Sequence, residues 1–272
     1  MVEVTVVVPT LKPREEVESI QCLEKGDFAD YEVIVTDEYP VTRARNEGIR
    51  RANTDKIVFL DDDSRPVRGY LRRATEILER EPAFAGRTIH PRKDVFACHF
   101  TTHYDQANTQ QYVEHFWGNN MGVRRDVFES VGGWDENMGW GHEEKELADR
   151  VRSEYEILYD PQLVVVHPYA DSVLDLWRKK YRLETQSPYY WGKCGDTVGE
   201  QVRRTILSAI TPQHYARYDA VGTVVQIGVQ LGKTAGRIRG LINQWDTAQQ
   251  DVGGVPFFDQ QPTSKPEPSK QQ

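Results

Sequence analysis

Long uncharged runs are missing from this 272-residue chain. A helix needs about 20 consecutive apolar residues to cross the hydrocarbon core of a membrane, so no bilayer-spanning segment is expected. Cysteine is scarce. Cys22, Cys98 and Cys194 lie far apart and form no CxxC pair, which argues against a disulfide framework or a zinc site and suits a reducing compartment. Basic residues are in deficit, 34 Lys and Arg against 42 Asp and Glu, for a net charge of −8. A surface that held nucleic acid would carry the opposite balance, so no nucleic-acid partner is expected. A charged-then-apolar leader is also lacking: Met1 runs almost at once into strand-like residues. The expected location is therefore the cytoplasm.

What is present is an alternation of strand and helix. Val2 to Val8 is rich in β-branched residues and stops at Pro9-Thr10, which reads as a buried strand. Pro13 to Leu23 has helical spacing. Tyr31 to Val35 reads as a second strand, stopped by Asp37-Glu38-Tyr39-Pro40. Thr42 to Ala52 sets Ala44, Ile49 and Ala52 among arginines, as an amphipathic helix would. Lys56 to Leu60 is a third strand that runs into Asp61-Asp62-Asp63, and Tyr70 to Arg80 is a further helix. Short alternating elements of this kind predict an α/β domain with a mostly parallel sheet flanked by helices. Ligands then bind beyond the carboxyl ends of the strands, where the polar clusters after Val8, Val35 and Leu60 all fall.

Phe84 to Phe116 reads as irregular, with strand-like pieces such as Val95 to Phe100. Arg125 to Val131 and Glu143 to Val151 read as helices, and Leu163 to Val166 as a strand ending at His167-Pro168. Three regions result: a catalytic-type α/β domain over 1–170, a helical extension over 171–245, and a tail over 246–272 whose Gln, Pro, Ser and Gly content predicts disorder. In the extension, Gly228, Gly232, Gly236 and Gly240 recur every fourth residue. Each glycine costs a helix about 1 kcal/mol relative to alanine, so such a stripe implies close approach of another helix. The same region mixes aromatic and basic residues, Trp177 to Arg182 and Tyr189 to Lys193. That mixture suits a membrane headgroup layer, and it equally suits helices packed on the first domain or on a second subunit.

Three adjacent carboxylates repel one another unless a cation or hydrogen-bond donors compensate. Oxygen ligands at the end of a buried strand favour a hard cation, Mg²⁺ or Mn²⁺, that also binds substrate phosphates.

Six stretches, in order, then carry a resemblance. They are Val6-Val7-Val8-Pro9-Thr10, Arg43 to Ile49, Phe59-Leu60-Asp61-Asp62-Asp63, Asn119 to Arg125, Gly132-Gly133-Trp134-Asp135-Glu136 and Trp140 to Leu147. Together they resemble the family 2 glycosyltransferases with the GT-A fold. The resemblance implies an inverting transfer of a sugar from a nucleotide-diphosphate donor to a hydroxyl acceptor, with a polyprenyl- or dolichyl-linked glycan as one acceptor class. It implies that Pro9, Thr10 and Asp37 line the base pocket, and that Arg45 and Asn46 pack the nucleotide site. Asp61 would reach the ribose, with Asp62 beside it. Asp63 and His167 would hold the metal, Mg²⁺ or Mn²⁺. Glu143-Glu144 would stand where the family has a Glu-Asp pair, Glu144 being the general base. Here the chain departs from the pattern by one methylene. It departs again at Asp37-Glu38-Tyr39-Pro40, where many relatives have an Asp-Gly-Ser-type turn. Two other readings compete. A sugar-nucleotide pyrophosphorylase would need a glycine- and arginine-rich phosphate loop where Pro9-Thr10-Leu11-Lys12-Pro13 stands. A carbohydrate-binding or scaffold protein of the same fold would not need both Asp63 and Glu144.

Overall fold

The computed structural model describes residues 1–92, 104–214 and 218–247. The expected strand over 95–100 lies outside them, and so does the tail expected over 246–272 apart from its first two residues, which belong to the last helix.

Strands β1 (Val4–Pro9), β2 (Tyr31–Thr36) and β3 (Lys56–Phe59) alternate with helices α1 (Glu18–Glu24) and α2 (Val41–Arg51), and α3 (Tyr70–Leu78) follows β4 (Arg65–Pro66). Next come β5 (Ala83–Ile89), β6 (Gln111–Tyr112), β7 (Met121–Arg124), α4 (Arg125–Val131), α5 (Glu143–Arg152) and β8 (Ile157–Val166). Among the described residues these strands form one eight-stranded sheet in the order β2-β1-β3-β7-β5-β8-β4, with β6 on β8. The expected α/β architecture with flanking helices is present, and the sheet is mixed. β1 runs parallel to β2 and β3, and β5 runs parallel to β8, while β7 is antiparallel to both β3 and β5.

β4 and β6 are likewise antiparallel to β8, and the reversal at β7 has a positional consequence. Two antiparallel steps restore the original direction, so β1, β2, β3, β5 and β8 all end at the same edge. The segments after β1, β2, β3 and β8 therefore meet there, and so does the turn that leads into β7.

β1 is buried on both faces, which its run of valines permits. Val4, Val6 and Val8 enter one core cluster with Ile20, Val58, Leu71 and Ile77. Val7 enters the other, with Ile34, Ile49, Phe59, Phe128 and Leu147. Alternation along the strand thus fills both layers.

β5 departs from the irregular character expected over 84–116, and β7 is a strand that the sequence pattern does not announce. Ala83-Phe84-Ala85-Gly86 and Met121-Gly122 have few β-branched residues because their neighbours leave no room. A Cβ on Gly86 would overlap the Asn120 amide, and one on Gly122 would overlap the Phe84 ring. Close packing replaced the compositional signal of a strand.

The extension is helical as expected: α6 (Val173–Glu184), α7 (Ser187–Lys193), α8 (Val198–Ile210) and α9 (Ala220–Thr247). The glycine stripe on α9 faces α6 and α7. A Cβ on Gly228 would overlap the Trp177 indole. One on Gly236 would overlap the Tyr181 carbonyl, and one on Gly240 the Thr185 carbonyl. The indole also donates from Nε1 to the Val225 carbonyl at 3.0 Å. Tyr104, Tyr169, Leu176, Val225 and Val229 form a third cluster that joins the extension to the sheet domain. Gly236→Ala is expected to destabilise the fold. The lost close approach costs about 1–3 kcal/mol, and the helix propensity gained returns about 1 kcal/mol. A differential scan should show a melting temperature lowered by a few degrees, and an unchanged or raised value would mean that α6 and α9 are not in backbone contact.

Candidate active site

Residues from the converging strand ends line a cavity of about 320 Å³, whose wall includes Asp61, Asp62, Asp63, Asn119, Glu144 and His167. Asp61 to Asp63 follow β3 directly. His167 follows β8, and its Nε2 lies 3.1 Å from Asp63 Oδ1 and 3.7 Å from Asp61 Oδ2. Burial opposes a charged imidazole, but the hydrogen bond to Asp63 and the charges of Asp61 and Asp63 outweigh it, so His167 titrates above its ordinary value. Burial likewise pushes Asp63 up, and the contacts with His167 outweigh that and bring it below the usual carboxylate range. Asp61 is raised: burial dominates, and the neighbouring Arg45 and His167 only partly oppose it.

Asp62 is held differently. Thr10 Oγ1 donates to its Oδ2 at 2.6 Å and Lys12 Nζ to its Oδ1 at 3.0 Å. The three aspartates thus have three separate partners, Arg45, Lys12 with Thr10, and His167, which relieves the repulsion expected of them.

Arg45 reaches the cavity from α2 while 2% exposed. Its guanidinium donates to Asp61 at 3.3 Å and to Glu143 at 3.2 Å, and it lies 4.5 Å from the centre of the Trp134 ring. A Cβ on Gly118 would overlap this guanidinium, which explains the glycine in the turn before β7. Glu143 is therefore a buried partner of Arg45 and does not line the cavity. Burial and the adjacent Glu144 push it up to about 8. Asn46 is not part of this cavity's wall either: its amide donates to the Trp134 carbonyl and Glu136 and accepts from the Trp134 backbone N–H. The sequence reading placed Asn46 at the donor and Glu143 in catalysis. The structure gives both a supporting position behind the wall.

Glu144 does line the cavity with the aspartates, and the Gly118 N–H donates to it at 3.4 Å. It opens α5 after a constrained turn. His142 has φ 63°, in the left-handed region, and Gly141 has φ 120°. A Cβ on Gly141 would crowd the Leu183 backbone. The extension holds this turn in place: the His142 ring stacks on Tyr190, and its Nε2 lies 2.8 Å from Ser187 Oγ. Beside it, Glu184 is 3% exposed, with Arg237 Nε at 2.7 Å, Lys233 Nζ at 3.6 Å, His142 Nε2 at 3.9 Å and the Ser187 hydroxyl donating at 2.6 Å. Burial pushes Glu184 up, but these neighbours outweigh it and hold it well below the usual range. A depressed carboxylate contributes stability that is complete above its unfolded value and is lost as pH falls through the folded one. Glu184→Gln is thus expected to cost about 3–5 kcal/mol near neutral pH, the scale of a broken buried ion pair, and to flatten the acid limb of stability against pH. Urea melts of both chains between pH 7 and pH 3 would test it, and parallel curves would remove Glu184 as the source.

A second cavity of about 390 Å³ adjoins the first. Pro9, Thr10, Asp37, Tyr39, Trp140 and Arg182 are among the residues that line it. The base-pocket residues anticipated from sequence are therefore together. Residues that sequence reading missed are the aromatic wall of the first cavity, Tyr104, Trp117, Trp140 and Tyr169, and its two basic residues from α6, Lys179 and Arg182. The Arg182 guanidinium lies 5.4 Å from the centre of the Trp140 ring. The aromatic-basic pattern of Trp177 to Arg182 was the available signal, but it pointed equally well to a membrane.

The donor set suits a divalent cation. Asp63 and Asp61 offer carboxylate oxygens within 3.1 and 3.7 Å of the His167 imidazole, a mixture of donor types that Mn²⁺ accepts readily. Among the described residues no group of three or more His, Cys, Asp or Glu side chains is placed to hold a metal ion by itself. An ion here would need water and substrate phosphates to complete its shell.

Comparison with known proteins agrees with this geometry. The model of the family described as glycosyl transferase family 2 matches residues 6–132. No curated protein sequence gave a match. Among solved structures, the mannosyltransferase PcManGT from Pyrobaculum calidifontis, in complex with GDP-Man and Mn²⁺, superposes with a TM-score of 0.56 at 16% identity, over 90% of this chain and 87% of that one. TarS from S. aureus gives a TM-score of 0.46 at 13% identity, over 68% of this chain, which spans only 39% of TarS. The resemblance to family 2 glycosyltransferases with a GT-A fold therefore holds in sequence and in architecture.

Proposed function

With a family 2 glycosyltransferase region over residues 6–132 as premise, we propose that this chain transfers a sugar from a nucleotide-diphosphate donor to an acceptor hydroxyl, with inversion. The observation that carries the reading is the placement of Asp61, Asp63, His167 and Glu144 on the wall of one cavity, next to a second cavity lined by Asp37 and Pro9. The base and ribose occupy the second cavity and the diphosphate extends toward Asp63. Asp63 and His167 would hold a divalent ion, Mn²⁺ or Mg²⁺, which when bound would supply charge neutralisation on the leaving diphosphate. Lys179 and Arg182 add positive charge to a wall that otherwise carries four carboxylates.

Glu144 accepts the proton of the acceptor hydroxyl as that oxygen attacks the anomeric carbon. The bond between the anomeric carbon and the diphosphate oxygen breaks as the new bond forms, and one displacement inverts the centre. Arg45, locked between Asp61 and Glu143, fixes the β3 end relative to the start of α5. It thereby sets the distance between the donor side and the base, a form of preorganisation. The aromatic wall of Tyr104, Trp117 and Tyr169 suits the apolar face of a sugar ring. A hexose donor and a lipid-linked acceptor used in glycan assembly fit this reading, which places the protein in the cytoplasm or peripherally on the cytoplasmic face of the membrane.

A panel of nucleotide sugars, read by thermal shift with and without Mn²⁺ and then by transfer to a hydroxyl acceptor, tests the proposal. A metal-dependent shift with one donor, followed by a product of opposite anomeric configuration, is the expected result. Retained configuration would exclude single displacement. Binding without hydrolysis or transfer across the panel would favour a scaffold.

A further inference from the structure

Helix α8 is inside out. The residues it buries are polar, Gln201 at 1% exposure and Thr205, whereas Val198, Val202, Ile206, Leu207 and Ile210 are exposed, Ile210 at 66%. Its start is nonetheless well defined. Thr197 and Glu200 form a reciprocal cap, each accepting from the other's backbone N–H, at 3.3 and 2.7 Å. An apolar face on a well-capped helix is a feature that needs an occupant.

Helix α9 repeats the pattern. Beside the glycine stripe that meets α6, it carries Val224, Ile227, Leu231, Ile238 and Ile242, all largely exposed, Leu231 at 67%. Their spacing of three, four, seven and four residues puts them on a single stripe. The two helices pack against each other. No helix among the described residues is long and apolar enough to cross a membrane.

Charge identifies the occupant. Residues 171–245 hold eleven Lys and Arg against six Asp and Glu, in a chain whose net charge is −8. The extension is therefore basic in composition and the remainder strongly acidic; Lys179 and Arg182 line the cavity and Lys233 and Arg237 pair with Glu184, so these four do not add to an outer surface. Arg203 and Arg239 are exposed on the same two helices. A second copy of this chain meeting the same patch would set basic residues against their own equivalents, which repel. An anionic lipid surface offers the complementary charge and an apolar layer beneath it, the two things an interfacial helix requires. It would also orient the molecule, because the acidic domain is pushed away.

We propose that the outward faces of α8 and α9 are a docking surface for an anionic lipid bilayer. The inference rests on the reading of a lipid-linked acceptor and names the surface that brings the enzyme to it.

The full chain should be tested by flotation with vesicles of equal phosphatidylglycerol and phosphatidylcholine, and with phosphatidylcholine alone. The expected result is association with the anionic vesicles, weaker in high salt and at least tenfold weaker with the neutral ones. The double variant Ile206→Ser, Leu231→Ser should lose at least tenfold in binding, and Arg203→Glu with Arg239→Glu a comparable amount. Neither should change the melting temperature or donor hydrolysis in solution, since none of the four touches the cavity. Equal flotation of wild type and both variants would overturn the proposal. So would a wild-type chain that fails to bind vesicles and sediments as a dimer dispersed by the serine variant. Donor hydrolysis separates the two readings: vesicle binding lost with hydrolysis intact removes the surface and leaves the catalytic proposal standing, while vesicle binding without turnover of any donor does the reverse.

Discussion

Asp63→Ala is expected to abolish the metal-dependent thermal shift on donor binding and to lower kcat by about 10²–10³-fold or more, the scale seen when one preorganised group stabilising developing charge is removed. Three facts single Asp63 out. It follows a buried strand at the edge where ligands collect. Its partner is His167, itself a potential metal ligand, at 3.1 Å. Its carboxyl is held below the ordinary range, despite partial burial, by the contacts with His167. Asp61 is committed to Arg45, and Asp62 to Lys12 and Thr10. Asp62→Asn should therefore cost much less in metal affinity, because its contacts are with the protein. Titrating Mn²⁺ into each variant, with the donor present, checks the ranking. An Asp63→Ala chain that kept its metal-dependent donor shift would move the site elsewhere.

The second large effect belongs to Glu144. Glu144→Gln keeps the shape and removes the base, and kcat for transfer is expected to fall by about 10²–10⁴-fold, with little change in the donor concentration at half-saturation. A loss confined to kcat is the signature of an interaction made in the transition state. Glu143→Gln offers the contrast. Glu143 is 1% exposed and bound to Arg45, so its replacement should lower stability, with the loss of activity following from a displaced Arg45. Comparing melting temperature with kcat for the two variants separates base from support. If Glu143→Gln lost all activity at full stability while Glu144→Gln stayed active, the assignments would exchange.

The aspartate run was legible in the sequence because a buried strand announces where its end lies, and charge at that end needs a partner. The Pro9, Asp37 and Asp61 clusters were legible for the same reason. The roles of Asn46 and Glu143 were not. A motif tells which residues recur near a site, but not which face of a helix they occupy, and here α2 and the start of α5 turn Asn46 and Glu143 toward the protein. β5 and β7 escaped because Gly86 and Gly122 serve close packing between strands, which composition reports as irregularity. Lys179 and Arg182 escaped because more than a hundred residues of chain separate them from Asp61, with which they share a cavity wall, and nothing in their local pattern distinguishes a cavity wall from a lipid surface. The glycine stripe was read correctly as a contact, and only the structure identified α6 as its main partner.

The pairing of Trp177 with Gly228 has a consequence for exchanging parts between relatives. The indole occupies the place where any larger residue on α9 would put its side chain, so the two positions act as a lock that admits one key. A chimera that imported α9 without its matching α6 would push the two helices apart. The displacement would reach Lys179, Arg182 and the Leu183 backbone that limits Gly141, one turn before the base. Donor and acceptor preferences grafted at the cavity would then fail for a reason located far from any ligand. The helices must travel together.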